Sequence, residues 1–297
     1  MENFLRTDLA AECGVRDGGE GIGIHSGVVD GCELLRVQVK TPQAAQRIGK
    51  PMGRYVTLEC GPLGELEGSE LARVRRALAV EIREMAARMC KKRIDSGFCV
   101  LVVGLGNADI TPDALGPQTV RRLGVTRHLR KVDTSLFFGI GRCELAALSP
   151  GVLGQTGVET LELLQGAVRT ISPDLVIAVD ALAAREPERL ASTVQLSDSG
   201  IVPGSGIGRN GEEISERTLG VPVMALGIPT VIDSATLVAH ALQAAGYGEL
   251  GDELRFCLER GRRYFVAPKE IDLLLVLGAT LLCEAIEKAF CVGEELI

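Results

Sequence analysis

The sequence has no tryptophan, and only three tyrosines and seven phenylalanines. Its apolar content, 46% of 297 residues, is therefore almost wholly aliphatic, enough for a large core and for aliphatic surface at contacts between subunits. No apolar run reaches the roughly 18 residues that cross a bilayer. The start, MENFLRTDLAAECGVRDGG, lacks the basic-then-apolar order of a secretory signal, so a soluble cytoplasmic protein is expected. Nine cysteines are scattered without a CxxC pair or a closely spaced histidine, which argues for reduced structural thiols and against a metal site. Lysine and arginine gather only in short runs, Lys91-Lys92-Arg93 and Arg260 to Arg263, and the net charge is −7. Direct nucleic-acid binding is disfavoured, whereas a basic protein substrate is not repelled.

What is present has two periods. GIHSGVVDG and CELLRVQVK read as strands joined at Asp30-Gly31, and RYVTLECG repeats the strand signal, a β-rich edge with an N-terminal hairpin. Residues 66–93 have helical spacing. Apolar runs then alternate with helical stretches: FCVLVVG, helices near 114–123 and 159–171, DLVIAVD, VPVMALG, and a helix near 231–245. This alternation predicts an α/β fold, a mostly parallel sheet with helices on both faces, in a single domain over 1–297. The segment 246–267, rich in glycine and charge, is expected to be a loop or short insertion before a final helix starting near Pro268.

In such a sheet the carboxyl ends of strands face the ligand crevice. Two aspartates fall there: Asp180 closes DLVIAVD, and Asp113 lies in GLGNADITPDALGP after FCVLVVG. A carboxylate behind a run of apolar strand residues is poorly solvated and a candidate for a shifted pKa. Each aspartate could equally be a helix N-cap. GLGN lacks the third glycine of a dinucleotide loop and places Asp109 and Asp113 where a phosphate would sit. Gly104 and Gly106 are better explained as a sharp turn, with Pro112 aiming Asp113, and Gly104, Gly106, Asn107 and Thr111, with Ser205 and Gly206, are expected near the bound substrate. Two close carboxylates can share one proton, one serving as base and the other as acid in peptide hydrolysis, and the residues do not say which does which. His128 and His240 are rival bases, each in or beside a helical stretch. Ser205, followed by Gly206 in PGSGIG, lacks the G-x-S-x-G frame of a serine nucleophile and reads as a glycine loop near the crevice.

Long strings carry a family likeness: GLGNADITPDALGP, VTRHL, PGVLGQTGVET, DLVIAVDALAAR, TVQLSDSGIVPGSGIG, RTLGVPVMALGIPTVIDSATL and APKEID. Together, over nearly the whole chain, they resemble the germination protease family of spore-forming bacteria, whose fold is similar to that of hydrogenase maturation proteases. The resemblance implies an endopeptidase without a cofactor that begins degrading small acid-soluble spore proteins in the spore core. It further implies a zymogen assembled as a homotetramer, with Asp113 and Asp180 as the catalytic pair. RTDLAAE resembles the family's processed segment, so self-cleavage is expected at Asp8-Leu9, in a leader expected to be exposed and mobile. Two features depart from the family: the insertion at 246–267 is short, and Ala108 and Asp109 replace the aromatic residue after GLGN. A metal-assisted hydrolase of the hydrogenase-maturation type and a non-catalytic relative remain as alternatives, and the intact aspartate pair argues against the latter.

Overall fold

The computed structural model describes residues 5–14, 18–204, 211–247, 251–261 and 264–293. Its first elements are β1 (Ile22–Val29), β2 (Cys32–Val39), α1 (Pro42–Ile48), β3 (Gly53–Glu59) and α2 (Gly68–Met89). The expected hairpin is there, with Asp30 and Gly31 both at positive φ, 52° and 79°, as a two-residue turn of this hand requires. In α2, Val74, Ala77, Leu78, Ile82 and Met85 recur at three- and four-residue intervals and form its buried face.

Next come β4 (Cys99–Gly104), α3 (Leu115–Arg122), α4 (Leu129–Val132), α5 (Thr134–Ile140), β5 (Glu144–Leu148), α6 (Leu153–Thr156) and α7 (Thr160–Ile171). They are followed by β6 (Leu175–Ala184), β7 (Thr193–Ser197), α8 (Glu216–Leu219), β8 (Val223–Asp233), α9 (Ser234–Ala244), α10 (Asp252–Gly261), β9 (Phe265–Val266) and α11 (Ile271–Ala289).

The described strands form one sheet in the order β1-β2-β3-β7-β8-β6-β4-β5, with β9 paired to β8. Strands β5, β4, β6 and β8 run parallel, the arrangement that alternating strands and helices predict. The hairpin side joins them through antiparallel pairs of β7 with β3 and with β8. Helices cover both faces of this mixed α/β fold. Ile177, Val179 and Met224 pack against α2 and α11 residues such as Leu78, Ile82 and Leu282. On the opposite face Val176 and Ala178 pack against Leu164 and Val168 of α7.

Three expectations need correction. The segment 246–267 contains α10 and β9, because Asp252 and Glu253 favour a helix start and Leu258, four residues after Leu254, packs toward Leu5 and Ala239. Strand β6 does not stop at Asp180 but runs on to Ala184, since Leu182 and Ala184 find an apolar partner in Leu9. Finally, the stretch around Asp8-Leu9 is neither exposed nor loose: Leu9 and Ala10 have no exposed surface. Burying Leu9 among Leu182, Ala184 and Ile232 holds the segment down more strongly than its polar neighbours loosen it.

All nine cysteines are free thiols, and burial pushes Cys143 and Cys283 up to about 12. No helix among the described residues is long and apolar enough to cross a membrane.

Candidate active site

Parallel pairing sets Gly104, the last residue of β4, opposite Val179 of β6. Beyond that row β6 continues while β4 turns away, so the crevice opens at Asp180 although its own strand runs on. Residues on alternate positions share a face, and Asp180 interrupts an apolar row between Ala178 and Leu182.

The turn after β4 is held by close backbone approach. Leu105 N–H donates to Val179 O at 2.8 Å. A Cβ on Gly104 would collide with the backbone of Gly116 at the start of α3, which fixes helix and strand in contact. Gly106 has φ 107° and faces the carbonyl of Asp113, a conformation and a space that only glycine fills easily. Thr111–Asp113 form a short 3₁₀ turn, and Asn107 N–H donates to Asp113 Oδ2 at 2.7 Å. From β8, buried Thr230 donates its hydroxyl to Pro112 O at 2.8 Å, fastening the Asp113 turn to the sheet. Gly104, Gly106, Asn107 and Thr111 thus all belong to the frame around Asp113.

Asp180 is 6% exposed, and its Oδ1 accepts the N–H of Ala181 at 2.9 Å. Burial pushes its carboxyl well above the usual carboxylate range, and the charges of Asp113 and then Asp8 push it further. Asp113 and Asp180 are therefore electrostatic neighbours. Asp109, the additional carboxylate of the turn, is exposed and accepts from Gln155 Nε2 at 2.9 Å, and Asn107 Oδ1 accepts from the same amide at 2.9 Å. His128 is exposed at the start of α4 and His240 is half-buried on α9. Ser205 and Gly206 lie outside the described residues.

Two contacts are not foreseen in the sequence: the docking of Asp8 on β6, and Gln195. Asp8 approaches β6 as a strand neighbour would, its N–H donating to Ala183 O at 2.8 Å and its Oδ2 accepting from Ala183 N–H at 2.8 Å. Gln195 of β7 then grips the backbone on both sides of Leu9, accepting from Ala10 N–H at 2.7 Å and donating to Asp8 O at 2.9 Å. A lone glutamine inside TVQLS was the available signal, since a buried amide must find partners.

A parallel sheet with helices on both faces and, at its strand ends, two neighbouring carboxylates, one of them buried with its pKa raised, makes this an α/β protein with a candidate acid–base pair. The chain belongs to the germination protease family, whose model matches residues 10–257, and is thereby a peptidase of a spore germination family. Germination protease of Clostridium acetobutylicum is 35% identical, over 99% of this chain and 97% of that protein. Its namesake in Caldanaerobacter subterraneus subsp. tengcongensis is 44% identical, over 80% of this chain and 71% of its own. Among solved structures, the NiFe hydrogenase maturation protease HycI from Thermococcus kodakarensis KOD1 is similar with a TM-score of 0.35 and 18% identity, over 65% of this chain and 93% of that one.

Proposed function

We propose that the chain is an aspartic-type endopeptidase that starts the degradation of small acid-soluble spore proteins during germination in the spore core, with Asp113 and Asp180 sharing one proton. The observation that carries this reading is the raised carboxyl of Asp180, buried and facing the charge of Asp113. Environments that push two carboxyls apart assign their roles. Asp180 holds the proton and gives it to the carbonyl oxygen of the scissile bond. Asp113, aimed by the Asn107 N–H, takes a proton from the attacking water. When the tetrahedral intermediate collapses, the C–N bond breaks, the proton on Asp113 passes to the leaving nitrogen, and an O–H proton of the intermediate returns to Asp180.

The reading extends to a single peptidase domain, a homotetramer, and a zymogen that cuts itself at Asp8-Leu9. Support for the last comes from Asp8, close enough to Asp180 to raise its carboxyl. Because Leu9 is buried, the segment must lift from Leu182 and Gln195 before its bond can enter the site.

The test is incubation of a small acid-soluble spore protein with wild type, Asp113→Asn and Asp180→Asn, with and without chelator. Wild type should cut and both variants should be slower by about 10²–10⁴-fold. Full activity in either folded variant overturns the pair, and loss of wild-type activity with chelator transfers the reading to the metal-assisted class. Mass spectrometry reads the N-terminus in the same samples, and sedimentation reads the assembly.

A further inference from the structure

Beside Asp180, on the β8 and β7 side, lies a groove of about 390 Å³, inside the range of roughly 300–1,000 Å³ typical of ligand sites. Sheet register explains why it exists. Asp180 of β6 pairs with Gly227 of β8, and Gly227 pairs with Gln195 of β7, so the three lie in one transverse row. Two rows away, on the same face, Ala178, Ala225 and Ser197 form the next such row. On β8 the floor is thus a glycine and an alanine, flanked by Asp180 and Leu182 of β6 and by Gln195 and Ser197 of β7. A Cβ on Gly227 would lie 2.5 Å from Asp180 O and 2.7 Å from Leu182 Cγ, so nothing larger than glycine fits there without moving Asp180 itself.

The lining has two characters. Leu182, Ile201, Val202 and Ala225 present aliphatic surface. At the far end a chain of hydroxyls closes it: Ser199 Oγ donates to Tyr55 OH at 3.0 Å and lies 3.3 Å from Ser197 Oγ, and Tyr55 OH donates to Pro51 O at 2.8 Å. The groove borders a place where peptide backbone is already bound, since Gln195 holds the carbonyl of Asp8 and the N–H of Ala10, and Asp8 itself lines the groove. Its volume exceeds what one side chain needs, and its lining includes both Gly227, the register partner of Asp180, and Leu182, two residues along β6.

We propose that this groove is the substrate channel on the β7 side of the reacting pair. It takes an extended stretch of polypeptide and seats an aliphatic side chain next to the scissile bond on Ala225, with Ala225 and Gly227 setting the size limit. The proposal rests on the reading of Asp113 and Asp180 as the reacting groups. A small floor between two taller strands selects by volume, and a filled volume excludes the larger side chain while still admitting the smaller.

Ala225→Leu fills the floor without touching Asp180, and Val202→Trp fills the groove from its half-buried rim should the first variant fail to fold. A peptide library with every residue type on each side of the cut bond, read by mass spectrometry, is offered to wild type, to both variants and to Asp113→Asn. In the variants, preference at one position flanking the cut should move from leucine, isoleucine and valine to alanine and glycine, with kcat/KM for the larger residues down at least about tenfold. Folded variants that cut the same bonds at the same relative rates as wild type overturn the groove assignment. Cutting by Asp113→Asn overturns the aspartate pair and leaves the groove to be judged by the shift in preference. A wild type that cuts no peptide and no spore protein overturns both.

Discussion

Asp8 and Ala183 exchange two hydrogen bonds of 2.8 Å, one from each backbone N–H, the second received by the Asp8 carboxylate. This lays the N-terminal segment along the part of β6 that extends past Asp180. One carboxylate therefore does two jobs: it fastens the segment, and it adds negative charge to a site that already holds Asp113 and Asp180.

Asp180→Asn is expected to raise stability at neutral pH while abolishing most activity. A carboxyl whose folded pKa lies above its ordinary value of 3.8 binds its proton more tightly in the folded state. Stability is then highest below 3.8 and falls as pH rises through the folded value, because the folded protein must ionise a buried group. Asparagine removes that dependence. Thermal melts of both proteins across pH should converge in acid and separate toward neutrality with the variant higher; a variant that melts lower throughout contradicts the burial argument.

The pattern of what could be read beforehand is physical. Asp30-Gly31 announced its hairpin because both residues tolerate positive φ, and GLGN announced a turn for the same reason at Gly106. Helix α1 was not foreseen: Thr41 as N-cap, Pro42 in the first turn and Gly49 at the end mark it, but it is too short for a helical period to show. Asp180 looked like a strand end because a charge interrupts the apolar run there, although ALAA continues it. What prolongs β6 is Leu9, distant in sequence, and no local pattern carries that contact. Gln195, Thr230 and the docking of Asp8 on β6 escaped for the same reason: their partners are a backbone amide or carbonyl supplied by another part of the chain.

Glu12 anchors the other end of the segment. Its fully buried carboxylate accepts the N–H groups of Arg185 at 2.8 Å and Glu186 at 2.9 Å, takes the hydroxyl of Thr7, and lies 3.6 Å from Arg189 Nε. Glu12→Ala removes the acceptor of the Arg185 and Glu186 N–H groups, while Arg189 keeps Glu59 and Glu186 and Thr7 keeps Ala183 O, and a buried donor left unsatisfied typically costs about 1–3 kcal/mol. Urea unfolding should show the loss in its midpoint. Trypsin should cut faster at Arg6 in the variant, and an unchanged midpoint with unchanged trypsin resistance argues against the anchor.

Gly104→Ala tests the frame of Asp113 without altering any titratable group. The added methyl must displace backbone at Gly116, which is rigid, so overpacking of about 1–3 kcal/mol is expected together with a shift of the 105–113 turn. Activity should fall further than the stability loss explains, because Asp113 moves relative to Asp180. A destabilised variant with wild-type kcat on its folded fraction would show that the turn does not aim the carboxylate.

The pH dependence of cutting should bear the mark of Asp8. With a shared proton required, activity on the spore protein is lost as pH rises through the raised pKa of Asp180, since above it both carboxyls of the pair are ionised. Asp8 contributes to that raised value by like-charge repulsion, after burial and Asp113. Asp8→Asn removes the repulsion, lowers the Asp180 pKa, and moves the alkaline fall of kcat/KM to lower pH. Asparagine at position 8 keeps an oxygen able to accept the Ala183 N–H, so the docking of the segment is retained and the shift reads charge alone. Carbon-13 NMR of the aspartate carboxyls should give the same displacement for Asp180. If trimming at residue 8 precedes the assay, wild type and variant become the same molecule with coincident profiles, so mass spectrometry must show intact N-termini. Given that control, an alkaline fall at the same pH in both proteins would mean that Asp8 exerts no field on the pair.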